Sequence, residues 1–512
     1  MSPPRRLTDT ERRRILQALD LLLAAAALVA ALATSRGAIQ RPEVAWGILA
    51  NWAGWTAGLA FLWLLMAHAF EAYAGRVRAS PARSALQLAK AGLVAGLLFL
   101  AVAALLGDTA LTARPRTMAL FLALLALLPA GGRLLYRALL GREGLRRATL
   151  VVGTGRAARK AAGALRDHGA DSYRLVGYVA AGGEAGAGSG NEAGGGDVSA
   201  GTPPGAAGDA ASGAVAGDAA PGPAEPDDDL PPARPVVGEV DELPDLVREH
   251  GAATVVDARS PAGEGDGLRA VVDRCLEAGA QVEPMPVLYE RLTGRVPLDQ
   301  LRGAWRETLP LEHGGGRALG RAAKRAMDLV LTSLGVAVML PVFPFLAAAI
   351  KLETPGPVFY AQERVGRGGE VLTVLKFRSM VADAEAAGDP VWASEDDPRI
   401  TRVGRILRAM HVDEFPQFLS ILKGEMSIIG PRPERPAFVE ELEREIPHYR
   451  ARHALKPGLG GWGLVNQGYG SSREDARIKH EYDLYYLRHQ SLWLDLVILA
   501  RTFIDTLTLR GT

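Results

Sequence analysis

Cysteine is all but missing. Cys275 stands alone in 512 residues, which excludes an intramolecular disulfide and lets the chain sit in a reducing compartment. A charge excess is missing too: 58 basic residues face 57 acidic ones, so nothing indicates a polyelectrolyte partner and nucleic acid is not expected. Aromatic residues supply only 6%, yet apolar residues reach 48%, gathered in long runs. The Arg-rich head Met1–Arg14 precedes the first run, and no small-residue cleavage site comes after it, so that run reads as an uncleaved span.

Four apolar runs open the chain, near Ile15–Thr34, Val44–Phe70, Leu86–Leu106 and Met118–Leu140. Each approaches the roughly 20 residues needed to cross a bilayer. Arginines crowd before the first run (Arg5, Arg6, Arg12, Arg13, Arg14), between the second and third (Arg76, Arg78, Arg83) and after the fourth (Arg142, Arg146, Arg147). The positive-inside rule then puts both ends of a four-helix transmembrane bundle (1–145) in the cytoplasm.

A second unit, 146–312, alternates strand and helix patterns. The expected strands are Ala148–Val152, Tyr173–Val179, Pro235–Val237, Ala253–Val256 and Gln281–Met285, with a helix over Gly267–Ala278 that makes Cys275 a small core residue. GTGRAA (Gly153–Ala158) succeeds the first strand as a Rossmann-type turn, making Gly153 and Gly155 weak cofactor-binding candidates. The acid that a dinucleotide site wants after the second strand is absent, because Ala180 and Ala181 stand there. A structural or regulatory role is set against true cofactor binding. Residues 181–234, rich in Gly, Ala, Asp and Pro, read as a disordered insert.

The last unit, 318–512, begins with a fifth apolar run, Leu329–Leu352, interrupted by Pro341 and Pro344. Those prolines predict a helix-break-helix over 325–353 that re-enters the leaflet it came from and keeps the remainder of the unit on the cytoplasmic side. The chemistry concentrates in PRITRVGRILRAMHVDEFPQFLSILKGEMSIIGPRPERP (Pro398–Pro436). Arg399, Arg402, Arg405 and Arg408 recur every third residue, predicting one helix face. Asp413 and Glu414 come next, with Pro416 suited to a first helical turn, so a second helix is expected over Phe415–Leu422, capped by Asp413 and stopping at Gly424. Its N-terminus suits a phosphate. Arg432 and Arg435 sit in the stiff turn GPRPERP, and KFRSM delivers Lys376 and Arg378 from a strand end. The tail SLWLDLVILARTFIDTL (Ser491–Leu507) either lies on the membrane surface or packs on the domain core.

KFRSM, TRVGRILR, VDEFPQ, KGEMSIIGPRPE and KPGLGGWGLVNQ stand in this order between Lys376 and Gln467. The set resembles the bacterial sugar transferases, the monotopic phosphoglycosyltransferases, over roughly Lys324–Thr512. The resemblance implies a multidomain membrane protein: transmembrane bundle, Rossmann-like α/β domain, and α+β catalytic domain with a re-entrant helix. It implies transfer of a sugar phosphate from a nucleoside diphosphate sugar, a UDP-hexose by preference, to undecaprenyl phosphate. That step starts exopolysaccharide, capsule or O-antigen synthesis at the bacterial inner membrane. By the same resemblance Asp413 is the nucleophile and Glu414 the Mg²⁺ ligand; Lys376, Arg378, Arg408 and Arg432 are the candidates for phosphate and leaving-group stabilisation, and Arg402, Arg405 and Arg435 either join them or face the anionic lipid surface. A homo-oligomer is compatible with it.

Val412 and Phe415 stand where the family has leucines, and Gly460, Gly463 and Leu464 depart from its later motif, which leaves the sugar open. A membrane-anchored nucleotide-sugar dehydratase would need an intact G-x-G-x-x-G and a Tyr-x-x-x-Lys base, and neither is found. A transporter would need more ionisable residues in the spans than Asp20 and His68. An inactive regulatory scaffold is the remaining alternative.

Overall fold

The computed structural model describes residues 8–35, 53–107, 114–140, 146–180, 235–259, 266–301, 315–381, 397–468 and 472–508. The insert expected over 181–234 lies outside them, as does most of the linker before 315.

Helices α1 (Asp9–Ser35), α2 (Ala53–Ala69), α3 (Pro81–Leu105) and α4 (Pro115–Leu140) match the four opening runs. α1, α3 and α4 are long and apolar enough to cross a membrane; α2, as described, is shorter. Ser80 starts α3, its Oγ accepting from the Arg83 amide, with Pro81 in the first turn. Trp63, Leu28, Phe99 and Phe121 fill the bundle's centre. Asp20 is buried and accepts from Arg133 Nη2 at 2.8 Å, so it holds α1 to α4 instead of lining a path.

The next segment is a five-stranded, wholly parallel sheet. In chain order it comprises β1 (Arg147–Val152), α5 (Arg156–His168), β2 (Tyr173–Ala180), β3 (Val236–Glu239), α6 (Leu243–His250), β4 (Thr254–Asp257), α7 (Asp266–Glu277), β5 (Gln281–Pro284) and α8 (Met285–Thr293). The spatial order is β3-β2-β1-β4-β5, with the chain moving to one side of β1 first and then to the other. Every residue of β1 is buried, as a strand covered on both faces must be. One apolar core lies on each face, and Cys275 is buried in one of them.

The last apolar run is a single helix, α9 (Gly315–Glu353), and here the sequence expectation needs correction. Pro341 and Pro344 lie inside α9 without ending it. Each proline removes one backbone hydrogen bond, but turns on both sides continue, so the helical path survives. The helix exposes large apolar side chains: Val330, Leu334, Val338, Leu340 and Phe345 all face outward. Yet α9 is tied to one folded unit near both its ends. Lys324 donates to the Ile429 carbonyl and Arg325 to those of Ile421 and Leu422; Asp328 accepts from Ser427 and Ile428. Farther on, Phe343 stacks against Phe359 and Phe377.

Around α9 stand the antiparallel hairpin β6 (Phe359–Val365)/β7 (Val371–Phe377), helix α10 (Arg402–Ala409), a 3₁₀ turn (Val412–Gln417) and α11 (Phe418–Lys423). β8 (Ser427–Ile429) pairs in parallel with β9 (Gly458–Gly460), with α12 (Pro436–Glu445) between them in the chain. α13 (Trp462–Gln467), α14 (Arg473–His489) and α15 (Leu492–Leu507) close the chain. α15 packs on two cores. Ile498 and Leu499 enter the one beside β8, while Trp493, Leu496 and Val497 pack on the opening bundle, Trp493 against Phe61 and His68 of α2. α14 docks on the parallel-sheet unit, where Glu481 binds Lys160 and Arg295 while Glu290 of α8 accepts from Arg488 and His489.

Candidate active site

α10 begins at Thr401, whose hydroxyl accepts from the Gly404 amide at 2.9 Å; both carboxylate oxygens of Glu353, the last residue of α9, accept from Arg402 N and Val403 N. Gly404 lies so close to β7's continuation that a Cβ there would stand 1.9 Å from the Ser379 carbonyl oxygen. Arg399 is not on this helix, contrary to its spacing. Its guanidinium forks onto Asp397 (2.6–3.1 Å), which draws the chain before Thr401 into a turn.

α10 gives way at His411 to a non-glycine residue in the left-handed region (φ 55°). Such a conformation costs about 1–2 kcal/mol and is typical of functional turns. It throws the chain straight into the 3₁₀ turn, so Asp413 lies inside that turn and caps nothing. The next α-helix starts at Phe418, spans six residues and stops at Gly424 as expected. So short an element has little macrodipole, and the phosphate-binding helix end anticipated at Asp413 is not what the fold offers.

What it offers is a cluster. Asp413 and Glu414 are both buried. Lys376 Nζ, from β7, donates to Glu414 Oε1 at 2.7 Å, and Arg432 Nη2 reaches the same oxygen at 2.5 Å. Arg364, Gln417, Pro433 and Gly458 complete the walls of the cleft that Glu414, Lys376 and Arg432 line. Burial alone would raise Glu414, but Arg432 and Lys376 overcome it and hold its carboxyl well below the usual carboxylate range. Asp413 goes the other way: burial, and then the charge of Glu414, push it up to about 6 against Lys376, Arg408 and Arg432. Two adjacent carboxyls thus hold different protonation tendencies, the pattern of a site with divided roles.

The expected residues do not all gather here. Lys376, Arg408 and Arg432 surround the acidic pair electrostatically. Arg378, in contrast, is buried with its guanidinium on the carbonyls of Ile350, Thr354 and Pro355, which makes it a clamp on the end of α9 rather than a grip on diphosphate. Arg402 and Arg405 are exposed along α10, and Arg435 starts α12. Residues not singled out by the sequence also line the cleft. Arg364 on β6 donates to the Pro433 carbonyl, and Gln417 sits one turn past Asp413. His411 lies at the entrance to the turn, its ring held below its ordinary pKa by burial and by Arg432 and Lys376, against the pull of Glu414. Alternation along β6 could have found Arg364; Gln417 closes the VDEFPQ motif but is given no role there.

Magnesium needs oxygen ligands, and Asp413 and Glu414 are the carboxylates at this point. Among the described residues no group of three or more His, Cys, Asp or Glu is assembled for a metal. Asp413 and Glu414 are oxygen donors of the kind Mg²⁺ takes, and in this arrangement the Glu414 oxygens accept from Lys376 and Arg432.

Gly153 takes φ 107° directly after β1, and Gly155 caps α5, so the turn has the expected shape. Ala180 ends β2, leaving no acid there to hold a ribose.

Comparison with known proteins identifies the family. Residues 319–509 match the family model described as bacterial sugar transferase. The chain is 40% identical to the UDP-N-acetylgalactosamine-undecaprenyl-phosphate N-acetylgalactosaminephosphotransferase of Aeromonas hydrophila, over 52% of this chain and 61% of that protein. It is 39% identical to the UDP-glucose:undecaprenyl-phosphate glucose-1-phosphate transferase of Escherichia coli K12, over 47% and 51%. To the enzyme of the same description from Caulobacter vibrioides it is 42% identical, over 36% of this chain and 70% of that one. The chain thus spans 51% to 70% of these relatives' lengths, and the Caulobacter match covers enough of its partner to settle the kinship: the chain belongs to the bacterial sugar transferase family.

Proposed function

We propose that the chain transfers a sugar phosphate from a nucleoside diphosphate sugar to undecaprenyl phosphate, the step its relatives' names describe. The observation that carries this reading is the buried Asp413–Glu414 pair, with Lys376 and Arg432 locked on Glu414 while Asp413 beside it is pushed toward its protonated form. An Asp413 oxygen attacks the sugar-side phosphorus. That P–O bond forms as the bond to the nucleoside monophosphate breaks, and Arg432 and Lys376 stabilise the charge that leaves. An oxygen of the lipid phosphate then attacks the same phosphorus, and the Asp413 carboxylate departs unchanged. A bound Mg²⁺, held by Glu414 with the diphosphate, would supply neutralisation of the diphosphate charge. Arg408 orients from the end of α10, and Arg364 and Gln417 are added to the cleft.

The architecture belongs to the same proposal: spans over 1–145, a nucleotide-binding-like unit over 146–312 in a structural role, and a catalytic domain over 318–512 on the cytoplasmic side of the inner membrane. The re-entrant path of α9 is supported by its ties. Lys324 and Arg325 near one end and Glu353 at the other bind the same folded unit, which a helix crossing the bilayer could not do.

The test is release of nucleoside monophosphate from a panel of UDP-sugars with undecaprenyl phosphate and Mg²⁺. Release with one donor, lost in Asp413→Asn, is expected. Silence with every donor from folded protein would overturn the reaction, and undiminished release by the variant would move the nucleophile.

A further inference from the structure

The turn GPRPERP, which brings Arg432 to Glu414, is poor in backbone donors because Pro431, Pro433 and Pro436 have no N–H. Its place is fixed instead through its carbonyls, and four in succession are held. The Pro431 carbonyl accepts from the Gly458 amide at 2.9 Å, and that of Glu434 from the Val365 amide at 2.9 Å. Between them the Pro433 carbonyl accepts from Arg364 and the Arg432 carbonyl from Arg452 Nη2, each at 3.0 Å. β9 and β6 supply three of these donors. Arg452 supplies the fourth, on the residue whose side chain reaches Glu414.

Arg452 stands in the 3₁₀ turn Tyr449–Ala454, which follows His448 in the left-handed region (φ 59°), much as the Asp413 turn follows His411. It is only 6% exposed and does not line the cleft. Its Nη1 donates to the Tyr449 hydroxyl at 2.6 Å, and its Nη2 lies 2.8 Å from Oδ2 of Asp483, a buried residue of α14. A planar guanidinium meets three partners in three directions, which the single ammonium of a lysine does not. A buried ion pair adds little net stability by itself, so what distinguishes this one is the carbonyl it serves.

We propose that Arg452 is a positioning residue of the transfer reaction: held by Asp483, it fixes the Arg432 backbone so that the Arg432 guanidinium meets Glu414 and the charge that leaves. The role rests on the transfer reading given above. A misplacement of about 1 Å in such a group costs on the order of 10²-fold in rate. Arg432 acts on charge that develops as the nucleoside monophosphate departs, so the loss falls on kcat more than on KM.

The test is a double-variant cycle on the full chain, with undecaprenyl phosphate and either UDP-glucose or UDP-N-acetylgalactosamine, whichever donor supports release. Arg452→Lys should lower kcat about tenfold and keep KM within about twofold. In an Arg432→Ala background the same change should cost less than about twofold, because the group it positions is gone. An equal loss in both backgrounds, or wild-type turnover in Arg452→Lys, overturns the proposal. Arg450→Gln, which removes an exposed charge from the same 3₁₀ turn, should leave turnover unchanged. Hydrogen exchange of the peptide Gly430–Phe438, read by mass spectrometry, separates this role from the reaction. Should the wild type release no nucleoside monophosphate, the transfer reading fails and exchange decides. Faster exchange in Arg452→Lys than in the wild type and Arg450→Gln keeps the hold on the turn, and equal exchange overturns it. If Arg452→Lys does not fold, Arg452→Met with Asp483→Leu replaces the buried pair by apolar side chains and is read by the same two measurements.

Discussion

Asp413 and Glu414 are neighbours that behave differently because both reaching cations choose the second of them. Asp413, raised to about 6, is ionised in the unfolded chain from about pH 4 but keeps its proton in the fold until about 6. Stability therefore falls as pH rises through that window, and the deficit persists above it. Under the proposed role reactivity runs opposite, since only a carboxylate would attack. We expect kcat/KM to drop about tenfold per unit below pH 6, checked by a rate profile between pH 5 and 8. Asp413→Asn should abolish release and melt no lower than the wild type at pH 7.5, a pairing that a purely structural aspartate would not give. Arg432→Ala should cost about 10²–10³ in rate, and Arg432→Lys should recover only part because the fork onto Glu414 is lost. The acidic pair was legible from its setting of ordered motifs. Arg378 was misread because its partners are three carbonyls at a helix end, and no side-chain pattern records a carbonyl.

Elements set the reach of those groups. α10 can approach β7's continuation only because Gly404 has no side chain, so Gly404→Ala should destabilise by about 2 kcal/mol or more and lower activity with it; thermal unfolding and turnover should fall together. Thr401→Ala, losing one cap bond, should cost about 1 kcal/mol. For α9 the single cysteine helps: in a Cys275→Ser background, reporters at Arg321→Cys and Thr354→Cys should both be labelled from the cytoplasmic face, and labelling from opposite faces would discard the re-entrant path. Parallel strands such as Thr254–Asp257 could be read because burial on both faces favours short runs rich in β-branched residues between turns. The ends of α10 could not. Arg399 keeps the helical spacing, yet Asp397 holds it in a turn, and the left-handed His411 stops the helix where no glycine or proline announces it.

Over the whole molecule the three parts are pinned by buried charge. Arg501 of α15 donates to Glu71 at 2.9 Å, to Asn466 of α13 at 3.0 Å and to the His68 carbonyl at 3.1 Å, so one guanidinium joins the bundle, the GWGLVNQ helix and the C-terminal helix. Arg501→Ala should cost about 1–2 kcal/mol, because Asn466 and a carbonyl lose their donor in a largely enclosed place while Glu71 keeps Arg76. Thermal unfolding in detergent would show it as a lower, broader transition, while Arg405→Ala on the exposed face of α10 should leave the melting temperature unmoved. The packing of Trp493 on Phe61 and His68 carries a consequence for biosynthesis. The Arg501–Glu71 bond closes a separation of 430 residues, so the side of α2 that α15 will cover has left the ribosome long before its partner is translated. Until α15 is made that surface stays uncovered, and a transcript broken before Ser491 would yield chains whose α2 never receives its cover.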